Sequence, residues 1–239
     1  MRSTAKAGTL EAHSKGLDRE TIVQAALRSI DSHGAQALTM RALALELGVV
    51  PMALYRYVHG REDLLEAVVA LLLEDVRRDL DHDLAKTCWQ GYLQTLANSV
   101  RRIALDHPAA FPLVATRHPS APWLRPPLRS LELVEDFLET LQGHGFTDTQ
   151  VVSTYRAFSS FLLGQLLLEA ATRGAPTAPV GVAFDEGDAQ IPNEDGLVDL
   201  STKPAAARLR GLLSEDHSAD EFEISLETLL DRLEMDISQ

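Results

Sequence analysis

The chain has 239 residues, 45% of them hydrophobic and 24% charged, the makeup of an ordinary soluble protein with room for one large domain or for a small module plus a larger one. Its single cysteine, Cys88, excludes an intrachain disulfide and a cysteine-based zinc site, and no apolar run approaches the length of a membrane span or a signal segment, so a cytoplasmic protein is expected. A net charge of −13 argues against a polyanionic partner until its distribution is read: residues 1–61 carry eight Lys/Arg against five Asp/Glu, so that stretch is +3 and the remainder −16. A basic N-terminal module on an acidic body would turn one end of the molecule toward a nucleic acid and keep the other end off it.

Residues 1–16 are small, polar and mildly basic. They read as a flexible N-terminal arm able to add phosphate contacts, or as a plain disordered terminus. Leu17–His33 is the first predicted helix, with Asp18 as N-cap, Ile22, Ala26 and Ile30 on one stripe and Gly34 as its stop. In the second, from Thr39 to Leu47, apolar residues fall at 40, 43, 44 and 47, the spacing of one helix face. Thr39 suits its N-cap and Gly48 its end. Pro51 lacks an N–H and fits a first helical turn, so a third short helix is predicted over 51–57. Two short helices around a glycine-containing turn form a helix-turn-helix. Its supporting core is expected to hold Ile22, Ala26, Ile30, Leu38, Leu43, Leu47, Leu54 and Val58.

In the third helix, Met52, Leu54 and Val58 can face that core, which leaves Ala53, Tyr55, Arg56 and Tyr57 for the remaining surface. A phenol can donate to a phosphate, and a guanidinium can pair with phosphate or fork onto a guanine edge in the major groove. The alternative is that Tyr55 and Tyr57 pack with their hydroxyls at the surface. After the His59-Gly60 turn, Arg61–Asp81 reads as one long unbroken helix with Leu64, Leu65, Val68, Val69, Leu72, Val76 and Leu80 inward. Such a helix would join module to body as a rigid lever.

The segments LTMRALALELGV, PMALYRYV and HGREDLLEAV together resemble the DNA-binding module of the tetracycline-repressor (TetR) family of bacterial regulators. The shared features are the Leu-Gly-Val turn, the aliphatic–Tyr–x–aromatic recognition helix and the basic–acidic–acidic–Leu-Leu start of helix four, over residues 17–75. The resemblance implies that Thr39, Arg41, Pro51, Met52, Ala53, Tyr55, Arg56, Tyr57 and Arg61 sit at DNA-facing positions. Tyr55 matches the phosphate-facing tyrosine, and Arg56 stands where an aromatic is often found. It also implies an all-α fold in which an N-terminal three-helix module (17–61) is joined by a long helix to a helical ligand-binding and dimerisation body (62–239).

Within that body Thr87–His107 is helical by spacing and ends at Pro108, and Phe111–Pro127 is proline-rich and should break into turns that could wall a cavity. Leu128–Gly143 is amphipathic. Thr147-x-x-Gln150 is a capping box opening a helix to about Arg173 whose apolar residues spread past one stripe, and Ser218-x-x-Glu221 is a second box opening a final helix. Gly174–Pro204, rich in Pro, Gly and acidic residues, reads as a mobile loop. The helices near 147–173 and 218–235 could pair with their copies in a second subunit; the alternative is that both faces are used within the monomer. By resemblance they form a four-helix homodimer interface, which places two recognition helices one turn apart on a palindromic double-stranded operator.

Trp89, Tyr92, Phe111, Trp123 and Phe158 could line an apolar effector pocket or be ordinary core. Residues 113–119, LVATRHP, resemble a segment that helps hold a drug–magnesium complex in tetracycline-binding members. Thr116 is in place there, but Leu113 stands where those members carry histidine. No phosphate loop, HExxH, GxSxG or dinucleotide fingerprint occurs, so no catalytic residue, cofactor or metal is assigned. The reading is a ligand-responsive DNA-binding regulator, a repressor released from its operator by a small, largely apolar effector. A helical small-molecule- or partner-binding protein that does not engage DNA is the alternative, and an unrecognised all-helical enzyme is third.

Overall fold

The computed structural model describes residues 17–81, 87–175, 203–213 and 215–237, and these contain helices and turns without a strand. The expected N-terminal arm and nearly all of the expected 174–204 loop lie outside the described residues.

Helix α1 (Arg19–His33) starts where Asp18 Oδ1 accepts the Thr21 N–H at 2.7 Å, and it stops at Gly34, whose φ of 79° suits a glycine. A 3-10 turn at Ala35–Ala37 leads to α2 (Met40–Glu46), capped by Thr39 through its hydroxyl to the Ala42 N–H. Gly48 at φ 67° then reverses the chain, and the Val49 N–H closes the helix end on Ala44 O at 2.9 Å. Pro51 opens α3. Of the expected core, Ile22, Ala26, Ile30, Leu38, Leu43, Leu54 and Val58 are buried at 1% exposure or less, and Leu47 packs against them half-buried.

Helix α3 covers only Pro51–Leu54, not 51–57. The N–H groups of Tyr57 and Val58 both donate to Leu54 O, at 2.9 and 3.1 Å, so residues 55–57 form a tight turn. Leu54 and Val58 are both fully buried. The backbone wraps closely about Leu54 to insert both, and the aromatic residues between them favour a helix only weakly.

The expected unbroken helix is also two. Helix α4 (Arg61–Leu72) ends at Leu73, whose φ of −89° and ψ of 1° leave the helical region, and α5 (Glu74–Leu80) begins at once. Each half carries its own end signals, with Glu62 and Asp63 in the first turn of α4, and Glu74 and Asp75 before Arg77 and Arg78 in α5. Those charges suit two helix dipoles in series. Leu73 is fully buried at the joint, so the lever has a packed break near its middle.

The body is built from α6 (Trp89–Asp106), a 3-10 turn at Phe111–Leu113, α7 (Leu131–Gly143), α8 (Asp148–Thr172), α9 (Pro204–Leu213) and α10 (Ser218–Ile237). Helix α8 shows both arms of the Thr147/Gln150 capping box. The second box does not form. Ser218 lies inside α10, and its N–H is taken by Asp216 Oδ1 at 3.1 Å, so a carboxylate two residues upstream serves as the cap. Helix α9 was not anticipated, although Pro204 followed by three alanines is a helix start. Arg101 of α6 forks onto Glu169 of α8 at 2.7 and 3.1 Å and lies over the Phe222 ring of α10, 4.9 Å from its centroid. That one side chain fixes three helices relative to one another.

Candidate functional site

The second and third helices project a compact surface. Thr39, Arg41, Pro51, Met52, Tyr55, Arg56 and Tyr57 are exposed and Ala53 is half-exposed, while Leu54 and Val58 anchor the same segment in the core. Met52 is 73% exposed, so the core role allowed by its spacing is wrong and its side chain lies at the surface. The short α3 leaves Met52 and Leu54 on opposite sides. Tyr55 and Tyr57 are 46% and 38% exposed, partly packed and partly open, as a residue with an apolar body and a polar tip can be.

Two residues on this surface were not singled out from the sequence. Leu45 and Val50 are 82% and 67% exposed. Leu45 lies off the 40/43/44/47 stripe, which is the signal that could have found it. Like Met52 they are exposed apolar side chains of the α2–α3 segment, of a kind able to meet thymine methyls.

Arg61 is placed differently from the other basic residues. Its Nε donates to Leu38 O at 3.1 Å and its second terminal nitrogen to Ala35 O at 2.9 Å. The guanidinium is therefore used on the carbonyls of the turn that leads into α2. Arg61 positions Thr39 and α2 from behind, because the first residue of α4 packs beneath that turn.

In the body, Leu96, Val100, Val114, Leu128, Leu133, Phe137, Tyr155, Phe158, Ser159, Leu162 and Leu163 surround an apolar cavity of about 30 Å³. That space would hold about two waters, whereas drug-sized ligands occupy roughly 300–1,000 Å³. A second, open cleft of about 600 Å³ lies beside it, walled by α5, α6 and α7, and Leu133 borders both spaces.

Of the six body residues chosen from sequence, Phe158 lines the cavity and Tyr92 lines the cleft. The Tyr92 hydroxyl donates to Asp136 Oδ2 at 2.7 Å; burial, reinforced by that carboxylate, pushes it far above the usual tyrosine range and keeps it a donor. Phe111 is fully buried core, Trp89 meets Phe146 edge-on at 5.4 Å, and Trp123 is 72% exposed. None of these three lines the cavity or the cleft. The prolines around Trp123 hold it in surface turns, and the bulk of Trp89 and Phe111 is taken up by packing. Thr116 does not face the cavity either: its hydroxyl donates to Leu113 O and accepts from Arg129. Leu113 is itself core, 1% exposed.

Side-chain contacts tie the body to α4 and to α1. Arg129, 6% exposed, donates to Glu62 Oε2 at 2.8 Å and to Thr116 Oγ1 at 3.2 Å, while its backbone N–H is held by Val114 O. His107, at the end of α6, lies 2.8 Å from Asp31 of α1. Among the described residues no group of three His, Cys, Asp or Glu is assembled to hold a metal ion.

Comparison with known proteins finds one family in both parts of the chain. A family model described as "Bacterial regulatory proteins, tetR family" matches residues 22–68, and one described as "Tetracyclin repressor-like, C-terminal domain" matches residues 83–237. The chain is 28% identical over 228 residues to the HTH-type transcriptional repressor DrrR1 of Streptomyces coeruleorubidus, covering 93% of this chain and 78% of that one. It is 32% identical over 169 residues to the class D tetracycline repressor protein of Escherichia coli, covering 68% and 73% respectively. Among solved structures it resembles a possible TetR family transcriptional regulator from Streptomyces coelicolor A3(2), with a TM-score of 0.66, 25% identity and coverage of 91% and 99%. It also resembles the Streptomyces coelicolor TetR family protein ActR in complex with actinorhodin, with a TM-score of 0.63, 25% identity and coverage of 94% and 100%.

Proposed function

The chain belongs to the tetracycline-repressor family and is a ligand-responsive, DNA-binding transcriptional regulator, and from that premise we propose that it is a cytoplasmic repressor that binds a palindromic operator as a homodimer and leaves it when a small, largely apolar effector enters the body. The observation that carries this is the α2–α3 surface, where Tyr55, Arg56, Tyr57 and Met52 are exposed on a segment whose Leu54 and Val58 are fully buried. A rigid anchor and an open aromatic and cationic face are what groove recognition needs. Thr39, Arg41, Pro51 and Ala53 complete the proposed contact set, with Arg61 holding it in place.

A dimer is supported by the outer faces of α8 and α10. Along α8 the exposed residues include Val152, Ser153, Ala157, Ser160, Gly164 and Leu168, apolar or small at nearly every step, and on α10 Ile224 and Met235 are 64% and 56% exposed. Contrary to the expectation that no apolar run approaches a membrane span, α8 is long and apolar enough to cross a membrane by length and composition, with 44% of its most apolar stretch buried. Burial of one side inside the body and of the other against a second copy accounts for that composition.

Release is proposed to run through Arg129. Val114 and Leu128 are cavity wall, Arg129 follows Leu128 and bonds Val114 and Glu62, and Arg61 beside Glu62 holds the 35–38 turn. An effector that spreads the cavity wall would pull on this chain of contacts and re-aim α2 and α3.

The test is selection from a randomised duplex library by the purified protein at two salt concentrations, with the Tyr55→Ala, Arg56→Ala double variant alongside. Enrichment of a palindrome, weakened by salt and lost in the variant, is the expected result. No enrichment by an intact, effector-free dimer would overturn the operator reading.

A further inference from the structure

The cleft beside the apolar cavity has a chemistry of its own. Its wall is made by Arg77 from α5, Tyr92 from α6, and Glu132, Leu133, Asp136 and His144 on and after α7. Arg77 faces Glu132 at 3.8 Å, so those two charges offset each other within the lining. Asp136 is then the carboxylate held against Tyr92, which is itself a neutral hydrogen-bond donor, with the His144 imidazole on the same wall. The lining is therefore acidic on balance, in a body that carries the whole excess of negative charge.

Asp136 is the focus. Its Oδ2 accepts from the 97%-buried Tyr92, so the side chain is held in one orientation on an exposed stretch of α7, with the second oxygen left to an incoming donor. Behind Tyr92 the surface becomes apolar at once: the Tyr92 ring meets Phe137 at 6.2 Å, and Phe137 meets Tyr155 at 5.6 Å and Phe158 at 5.8 Å. Those three rings line the small cavity. Leu133 is the side chain common to both spaces, so its displacement would join a roomy acidic cleft to a tight aromatic one.

The geometry points to an amphiphilic organic cation as the effector class: an aromatic or alicyclic body that displaces Leu133 and enters among Phe137, Tyr155 and Phe158, and a protonated amine that stays in the cleft on Asp136. This rests on the reading of the body as the effector-binding half of a regulator and deepens it by assigning the ligand's charge. A desolvated apolar part supplies binding, and one charge-assisted hydrogen bond to a fixed carboxylate supplies selectivity. An anionic effector of the same shape would meet Asp136 and the negative field of the body.

The test is calorimetric titration of the full chain with three matched probes, 2-(1-naphthyl)ethylammonium, 2-(1-naphthyl)ethanol and 1-naphthylacetate, at low and moderate salt. The ammonium should bind about tenfold or more tightly than the alcohol, and the carboxylate should bind most weakly. Asp136→Asn, an exposed near-isosteric change, should remove most of the advantage of the ammonium and leave the alcohol unchanged. Leu133→Phe, which fills the boundary, should weaken all three. Equal binding of the three probes, or a preference for the ammonium that survives Asp136→Asn, would overturn the assignment of charge and leave the regulator reading intact. No binding of any probe would overturn this cleft as the site. Release of the selected operator is measured separately: ammonium binding of the expected pattern without operator release would count against the proposed coupling while leaving the ligand class standing.

Discussion

Arg129 and Glu62 join the body to the first turn of α4, the helix that leads out of the DNA-binding module, a guanidinium only 6% exposed donating at 2.8 Å to a carboxylate that is 63% exposed on its outer side. The asymmetry decides how the pair responds to mutation. Removing Arg129 frees a carboxylate that water can solvate, whereas removing the Glu62 charge leaves a buried cation with less to hold it, its Nε already having no partner. Arg129→Met should cost about 1–2 kcal/mol, since it gives up hydrogen bonds to Glu62 and Thr116 but keeps an apolar stem. Glu62→Gln should cost at least as much. Urea unfolding of both single variants and the double, with unchanged m-values, checks this. A larger loss for Arg129→Met than for Glu62→Gln would contradict the ordering.

The two basic residues nearest the recognition surface should behave oppositely. Arg61→Met strips the donors from Leu38 O and Ala35 O, both part-buried contacts, and should lower stability by about 1–3 kcal/mol together with operator affinity. Arg56→Ala, on an exposed turn, should leave stability within about 0.5 kcal/mol and still weaken operator binding by about 1–3 kcal/mol. Thermal melts paired with binding curves separate the two. An Arg61 variant that binds DNA poorly while melting at the wild-type temperature would make Arg61 a DNA contact instead.

Those contrasting roles mark where the sequence was legible. Periodicity and end signals located Asp18, Thr39, Gly48, Pro51 and the Thr147/Gln150 box, because each acts through backbone groups within four residues of itself. Burial followed for the same reason: Leu54 and Val58 sit where a short helix must be anchored. What escaped depends on partners far along the chain. The engagement of Arg61 with residues 35 and 38, the reach of Arg129 to Glu62, and the separation of Tyr92 and Phe158 from Trp89, Phe111 and Trp123 all follow from helix packing that no local pattern encodes. The break at Leu73 is intermediate. Its apolar stripe runs straight through, and only the second set of acidic and basic end charges announces it.

Alkaline pH should destabilise the protein through its buried phenols. Burial pushes the Tyr155 hydroxyl up to about 12 from an ordinary value near 10, and the burial of Tyr92 beside Asp136 raises its hydroxyl further in the same direction. A raised folded-state value means that the unfolded chain releases its proton first as pH rises. The stabilising difference is complete below pH 10 and is lost upward through about pH 12, with Tyr155 alone worth roughly 2–3 kcal/mol at the top of that range. Unfolding free energies measured from pH 8 to 11 should fall for the wild type and fall less steeply for Tyr155→Phe. Since the Tyr155 hydroxyl donates to Pro126 O at 3.0 Å, that variant should start slightly less stable at pH 8. Parallel pH profiles would remove Tyr155 as a cause.

Gly164 tests the proposed homodimer from inside α8. It lies in mid-helix on the outer face, and a Cβ there would meet nothing within 4 Å among the described residues. Glycine in a helix costs about 1 kcal/mol relative to alanine, and no contact among the described residues requires it. Its neighbours on that face, Ala157, Ser160 and Leu168, continue a smooth surface on which a second helix could approach closely. In an isolated chain Gly164→Glu would meet only water and change little. Against a second copy it would place a carboxylate and its mirror image in one apolar contact, so the variant should run as a monomer in light scattering at concentrations where the wild type is a dimer. Its melting temperature should also lose its dependence on protein concentration. Half-site binding should persist and palindrome binding should drop, because one module is intact and the pairing is gone. A Gly164→Glu protein that remains dimeric would place the interface elsewhere, with the Ile224 and Met235 face of α10 as the next surface to change.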